Sequence, residues 1–300
     1  MRQLPLLSVN GAVEYPPPAF QYDRNTASVL IWEIPEMTDQ TTNWPDHLTG
    51  DAQPLEVGIL LYEGHTALDL VGPYTTFALA GMKVHLVAET LDPVVSDDGG
   101  MTIAPTTTFD DCPERLDILF VPGGGMVYKP MLDPATIAWL ADRGATASYI
   151  TAVCNGPLVL AAAGLLDGYR VATHWASRDQ LARLGVEVST ERVCIDRNRF
   201  SGGGVTAGID FGLTVVAHTL GEKAARFAQL VMEYDPEPPF NAGSPESAGP
   251  EIVALRTRFM AEPDTALRNA VSHVLEQRAA TSSHPVSDEN ADPAAGIVND

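Results

Sequence analysis

From residue 55 onward the chain alternates short apolar runs with stretches of helical spacing. Residues 55–62 (LEVGILLY) form a run of buried-strand type, and 66–80 then carry apolar side chains at the i, i+3, i+4 positions of a helix. Strands are predicted at 83–88 (KVHLVA), 116–121 (LDILFV), 149–153 (YITAV), 170–173 and 186–193. Between them helices are predicted at 133–143, 157–166 and 176–184, the first with Asp133 as N-cap and Pro134 at its first position. A tight turn at 202–204 leads into one long helix from 206 to about 233. Strand–helix alternation of this kind predicts an α/β domain with a mainly parallel sheet and helices on both faces.

The two ends lack that rhythm. Residues 1 to about 53 scatter prolines, Asn, Thr and acids, and only 27–34 could form an element; this segment is a lid, an arm on a partner subunit or a disordered lead. After Tyr234 comes a proline-rich segment (235–245), then an amphipathic helix over 251–278, and a polar, acidic tail from 281 to 300 that reads as disordered. The expected division is an extension over 1–53, a catalytic domain over 54–245, a C-terminal helix within 246–280 and the tail.

The composition narrows the function. The 300 residues are 45% hydrophobic and carry 18 Lys+Arg against 39 Asp+Glu, a formal charge of −21. Such a surface repels phosphate backbones and anionic lipid, so nucleic acid and membrane are poor partners. No run approaches a membrane span, and the N-terminus lacks a full signal-peptide core. The three cysteines, Cys112, Cys154 and Cys194, form no CxxC pair or metal-ligand spacing and fit a reducing cytoplasm.

In open α/β sheets, ligands bind at the carboxyl ends of strands, and four groups lie there. In ITAVCNGP (150–157) an apolar strand runs straight into a helix with Cys154 at the junction, a nucleophile elbow. Gly156 leaves room between strand and helix. The positive end of the helix is expected to lower the Cys154 pKa. Asp69, in LDLVGP (68–73), is either a helix cap or a functional carboxyl that shuttles protons to a cysteine-bound substrate. Gly123 and Gly124, in PGGG (122–125), could turn backbone N–H groups inward as an oxyanion pocket, or form a plain turn. His174, in THW (173–175), either pairs with Cys154 or is a satisfied structural histidine, and GGGVTA (202–207) places Gly203 and Val205 beside the pocket. A GxSxG elbow, metal-ligand spacing and a GxGxxG loop are all missing.

Those groups, in that order, resemble the ThiJ/PfpI superfamily, which shares the flavodoxin-like fold of class I glutamine amidotransferases. The resemblance runs from about 55 to 245 and is carried by LDLVGP, DCPERLDILFVPGG (111–124), VCNGPLVLAAAGLLDG (153–168), ATHWA (172–176) and GGGVTAGIDFGL (202–213). Within the superfamily, EYDPEPPFNAGSP (233–245) is most like the isonitrile hydratases. The resemblance implies an enzyme that hydrates a small isonitrile to an N-substituted formamide. Cys154 would be the nucleophile of a thioimidate intermediate and Asp69 the general acid and base. Asn155, His174 and the glycines would surround the substrate, with no metal or organic cofactor required, in a homodimer. Position 155 departs from the pattern, being Asn where the hydratases carry Thr, and Pro157 stands where a small hydroxyl residue is common. Two other classes share the fold: ligand-sensing regulatory domains, here without a basic DNA-binding module, and other cysteine-dependent hydrolases or glyoxalases.

Overall fold

A computed structural model describes residues 53–282. The expectations for the N-terminal extension and for the acidic tail beyond residue 282 fall outside these residues.

The described residues form a seven-stranded sheet of order β10-β11-β7-β6-β1-β2-β5. The central strands are β1 (Glu56–Leu60), β2 (Lys83–Ala88), β6 (Ile118–Val121) and β7 (Tyr149–Val153). β5 (Thr107–Thr108) closes one edge; β11 (Arg199–Gly202) and β10 (Val193–Asp196) close the other. All neighbours run parallel except β10 and β11. A hairpin of β3 (Val94–Val95) and β4 (Thr102–Ile103) and a parallel pair of β8 (Arg170–Ala172) and β9 (Glu187–Ser189) stand apart.

Successive side chains of a strand face opposite sides of a sheet, and the apolar runs divide accordingly. Val57, Ile59, Ile118 and Phe120 enter one core; Leu60, Leu119 and Val121 enter the other. The first core is covered by α1 (Ala67–Leu79), α6 (Ala207–Leu220) and α7 (Glu222–Val231), where Phe120 stacks on Phe211 at 5.4 Å and Phe77 meets both edge-on. On the opposite side lie α2 (Tyr128–Leu132), α3 (Pro134–Thr146), α4 (Pro157–Ala162), α5 (Arg178–Arg183) and α9 (Ala261–Ser282). Strands buried on both faces need continuous apolar runs rather than alternation, which is what residues 55–62 and 116–121 supply.

Three expected elements are corrected. The strand at 186–193 is two, β9 and β10, separated by the polar turn at 190–192 and belonging to different sheets. The long helix from 206 breaks at Gly221, whose φ of 91° ends α6 before α7 begins. The helix over 251–278 is α8 (Pro245–Phe259) followed by α9. Pro263 causes this break, because it has no N–H to donate to the carbonyl of Phe259. α9 is anchored: Leu267, Ala270, Val271 and Val274 enter the core, and Arg278 donates to the carbonyls of Leu184 and Ala161. α8 buries no side chain and leaves Ile252, Leu255 and Phe259 exposed. Asp133 caps α3 as expected, its Oδ2 accepting from Thr136 N at 2.8 Å.

Candidate active site

The sharp turn after β7 puts Cys154 at φ = 55°, a left-handed conformation that costs a non-glycine residue about 1–2 kcal/mol. Four hydrogen bonds hold it there. The Cys154 N–H donates to the carbonyls of Gly202 and Gly203 at 3.1 and 3.0 Å, while its own carbonyl accepts from His174 N at 2.8 Å and Thr173 Oγ1 at 2.6 Å. Gly156 follows because no side chain fits: a methyl group there would lie 2.3 Å from the carbonyl oxygen of Val121. The β11 strand, which sequence periodicity missed, is thus what fixes the turn, through Gly202.

Asp69 lies in the first turn of α1, fully buried, behind the cysteine. It is not the cap of that helix. Asp98 reaches the N-terminus instead, its Oδ1 accepting from Ala67 N at 3.4 Å. Neither oxygen of Asp69 has a partner of strict hydrogen-bond geometry, yet the Cys154 thiol and the Gly123 N–H are near enough to bear on its protonation. Burial drives the Asp69 carboxyl up to about 7, and the carboxylates of Asp97 and Asp98 push the same way against the thiol and the amide.

The expectation of a lowered Cys154 pKa is overturned. The thiol is pushed well above its usual value, first by burial and then by the charge and hydrogen bonding of Asp69. The opposing contribution of the Asn155 N–H is smaller. α4 has only six residues and begins with Pro157, which has no N–H to offer, so its dipole is outweighed by a buried carboxyl beside the sulfur. The resting pair therefore holds its protons tightly, and ionisation of one group opposes ionisation of the other.

The glycine turn after β6 is packed around this pair. A methyl group on Gly123 would fall 2.6 Å from Asn155 Oδ1, 2.6 Å from Cys154 Cβ and 2.8 Å from Asp69 Oδ2. Gly124 is clamped by Asn155, whose Oδ1 accepts from Gly124 N at 2.8 Å while its Nδ2 donates to Gly124 O at 2.9 Å. Gly125 N donates to Asp97 Oδ2. The amides of the turn thus face side-chain oxygens, and Gly124 is not the free oxyanion donor that the sequence suggested. Gly203 serves as acceptor for the Cys154 N–H.

The sulfur forms part of the floor of a pocket of about 270 Å³, to which Asn155, His174 and Val205 also contribute. Cys154 itself is only 6% exposed, so the thiol is recessed rather than raised above the sheet. The His174 ring is tied to its own segment: Nδ1 accepts from Ala176 N at 3.2 Å, capping the 3₁₀ turn at Trp175–Ser177. Burial, helped by Arg256, holds its pKa down at about 4, which keeps the ring neutral at pH 7.

Three contributors were not read from the sequence. Tyr62 is buried against the pair, donating its hydroxyl to Pro122 O at 3.1 Å, and its phenol is raised by burial and then by Asp69 and Cys154. Asp97 lines the pocket beside the glycine turn and also accepts from Thr66 Oγ1 at 3.2 Å. The third is the junction of α8 and α9, where Arg256, Phe259, Met260, Pro263, Asp264 and Leu267 form the outer wall. Among the described residues no group of three or more His, Cys, Asp or Glu side chains is placed to hold a metal ion, and no helix is long and apolar enough to cross a membrane.

Residues 56–218 match the model of the DJ-1/PfpI family. The chain belongs to that family. Among DJ-1/PfpI relatives, the isonitrile hydratase of Pseudomonas putida is 46% identical over 73% of this chain and 95% of its own length. A crystal structure of a ThiJ/PfpI family protein from Pseudomonas syringae has a TM-score of 0.71 at 43% identity, covering 79% of this chain and 97% of that one. The transcriptional regulator GbdR of Pseudomonas aeruginosa is 28% identical over 65% of this chain and 55% of its own length, so the likeness spans about half of that protein. The DJ-1/PfpI match ends at residue 218, well before the two helices that form the outer wall.

Proposed function

We infer that this protein hydrates an isonitrile, R–N≡C, to the N-substituted formamide, with Cys154 as nucleophile and Asp69 as the proton carrier. The observation that carries the reading is a thiol and a carboxyl buried together at the base of a pocket, where burial raises both and the carboxyl raises the thiol further. The likeness to the Pseudomonas putida isonitrile hydratase supports the choice of substrate.

An isonitrile carbon has a lone pair and a weakly electrophilic centre, so sulfur adds only as a proton arrives at that carbon. Asp69, ionising near 7, takes the thiol proton as the S–C bond forms and passes it to the carbon. This gives R–N=CH–S–Cys154, a thioimidate in which the elements of S–H have added to one carbon. Water then adds across the C=N bond, its proton passing by way of Asp69 to nitrogen. The C–S bond of the resulting R–NH–CH(OH)–S–Cys154 breaks, the hydroxyl proton returns to sulfur, and R–NH–CHO leaves. One water is consumed per turnover and Cys154 and Asp69 are restored.

A recessed thiol that is protonated at rest suits this route. The proton needed at carbon is already on the sulfur, and a permanently ionised thiolate would attract oxidants and metals. The test is formamide production from cyclohexyl and aryl isonitriles by the purified protein. Turnover that disappears in Cys154→Ala supports the reading; absence of turnover across isonitriles of varied bulk rejects it, leaving ligand sensing or another cysteine chemistry.

A further inference from the structure

The outer wall of the pocket has a feature that the reaction itself does not require. Arg256, near the end of α8, makes two bonds across the helix break to Asp264 in the first turn of α9, at 2.6 and 3.2 Å, with both side chains about three-quarters buried. The guanidinium also lies 5.2 Å from the centre of the Trp175 ring, next to His174. The same short segment turns Met260, Pro263 and Leu267 toward the cavity that holds Cys154.

Among the described residues that line this cavity, the one Lys or Arg side chain is Arg256, and it is paired with Asp264; His174 is neutral. Asp97 is bonded only to uncharged donors, Gly125 N and Thr66 Oγ1, and keeps a negative charge that bears on Cys154. An anionic R group entering the pocket would lose its hydration with no free cation to replace it. An apolar one would meet Val127, Val205, Met260 and Leu267.

We propose that the α8–α9 elbow reads the substrate's R group, admitting uncharged apolar groups and excluding anionic ones because its Arg256–Asp264 pair leaves no free cation facing Cys154. This deepens the isonitrile reading and rests on it for the identity of the reactive group. The wall itself can be tested without that reaction, by using two cysteine reagents of nearly equal size, neutral iodoacetamide and anionic iodoacetate, with the modified residue located by mass spectrometry.

Asp264→Asn unmasks Arg256, and the ratio of iodoacetate to iodoacetamide rates at Cys154 rises about tenfold, the effect of one unpaired charge within several ångströms in a medium of intermediate dielectric. Arg256→Met unmasks Asp264 and lowers the ratio, while Arg256→Lys, which keeps the charge, stays near wild type. Glu237→Gln, an exposed acid elsewhere, controls for the overall charge and changes the ratio less than twofold. Turnover should follow suit: kcat/KM for a carboxylate-bearing isonitrile, relative to its neutral isostere, rises in Asp264→Asn. Ratios that remain with the Glu237→Gln control, or that move equally in both unmasking variants, overturn the proposal. Alkylation ratios that move as stated in a protein that turns over no isonitrile sustain the wall and reject the isonitrile reading.

Discussion

The floor and the outer wall of the pocket are built on different principles. The floor is made at the ends of parallel strands, where the main chain of Cys154 is pinned by four hydrogen bonds and Asp69, Asn155 and Asp97 are packed against a glycine turn. The wall is made at a helix break, from side chains that range from the exposed Phe259 to the buried Leu267 and one ion pair, on an α8 that buries nothing and an α9 that is anchored in the core. Backbone fixes reacting atoms to within a few tenths of an ångström; side chains on a surface helix can be exchanged without disturbing them. On the proposed reading, the contrast separates where the chemistry is set from where selection between substrates is set.

Cys154→Ala tests the floor most severely and should reduce turnover by on the order of 10⁴-fold or more, since the proposed route forms its covalent bond on this sulfur. Thermal stability should change little, which a melting curve checks. Asp69→Asn should cost about 10³-fold in kcat, or about 4 kcal/mol. It should also change the pH profile: in the wild type, kcat/KM rises with pH up to about 7 as the buried pair gives up its first proton, and the variant loses that limb. Retention of the limb in Asp69→Asn would assign it to another group.

The same substitution has an opposite effect on stability, and its sign follows from burial. The folded-state pKa of Asp69 is raised from 3.8 to about 7, so the folded protein prefers the protonated form. Stability associated with that form is complete below pH 4 and is lost as pH climbs from there through 7, to the extent of about 4 kcal/mol. Asn carries no such penalty. The melting temperature of Asp69→Asn should match wild type at pH 4 and exceed it by several degrees at pH 8; a deficit at pH 8 would mean the carboxyl is structural. Asn155→Ala, which leaves the Gly124 N–H unpaired and its carbonyl with the Val127 N–H alone, should destabilise by about 2 kcal/mol and weaken turnover of all isonitriles alike. Unequal losses between bulky and small substrates would place Asn155 with the wall instead. The smallest effect is expected at Asp133→Ala, about 1 kcal/mol from the lost cap of α3 with kcat unchanged.

Much of the floor was legible in the sequence because its residues stand where buried strands stop. The apolar run before Cys154, the glycines after Val121 and the Asp69 segment all announce strand ends or helix starts. Periodicity failed where elements are too short to have a period. Asp97 belongs to a hairpin of two-residue strands, and β11, with the sequence RFSG, is half polar. Tyr62 read as one more core residue because a phenol whose hydroxyl is satisfied by a carbonyl differs from core only in three dimensions. The wall was hidden for another reason: helix-forming residues continue through Met260, and Pro263 falls where a first-turn proline and an interruption look the same. The direction of the thiol's pKa shift runs against the sequence expectation because a helix start is visible in one dimension, whereas the burial that outweighs it is not.

Because the left-handed backbone at residue 154 is gripped through its own peptide groups, the location of the atom on its β-carbon does not depend on which atom it is. Oxygen, selenium or carbon carried on a single unbranched β-carbon would be presented at the same spot, whereas a β-branched occupant would collide with the turn that holds it. Reactivity at this position can thus diverge among descendants by exchange of one small side chain, with the architecture that aims it inherited intact.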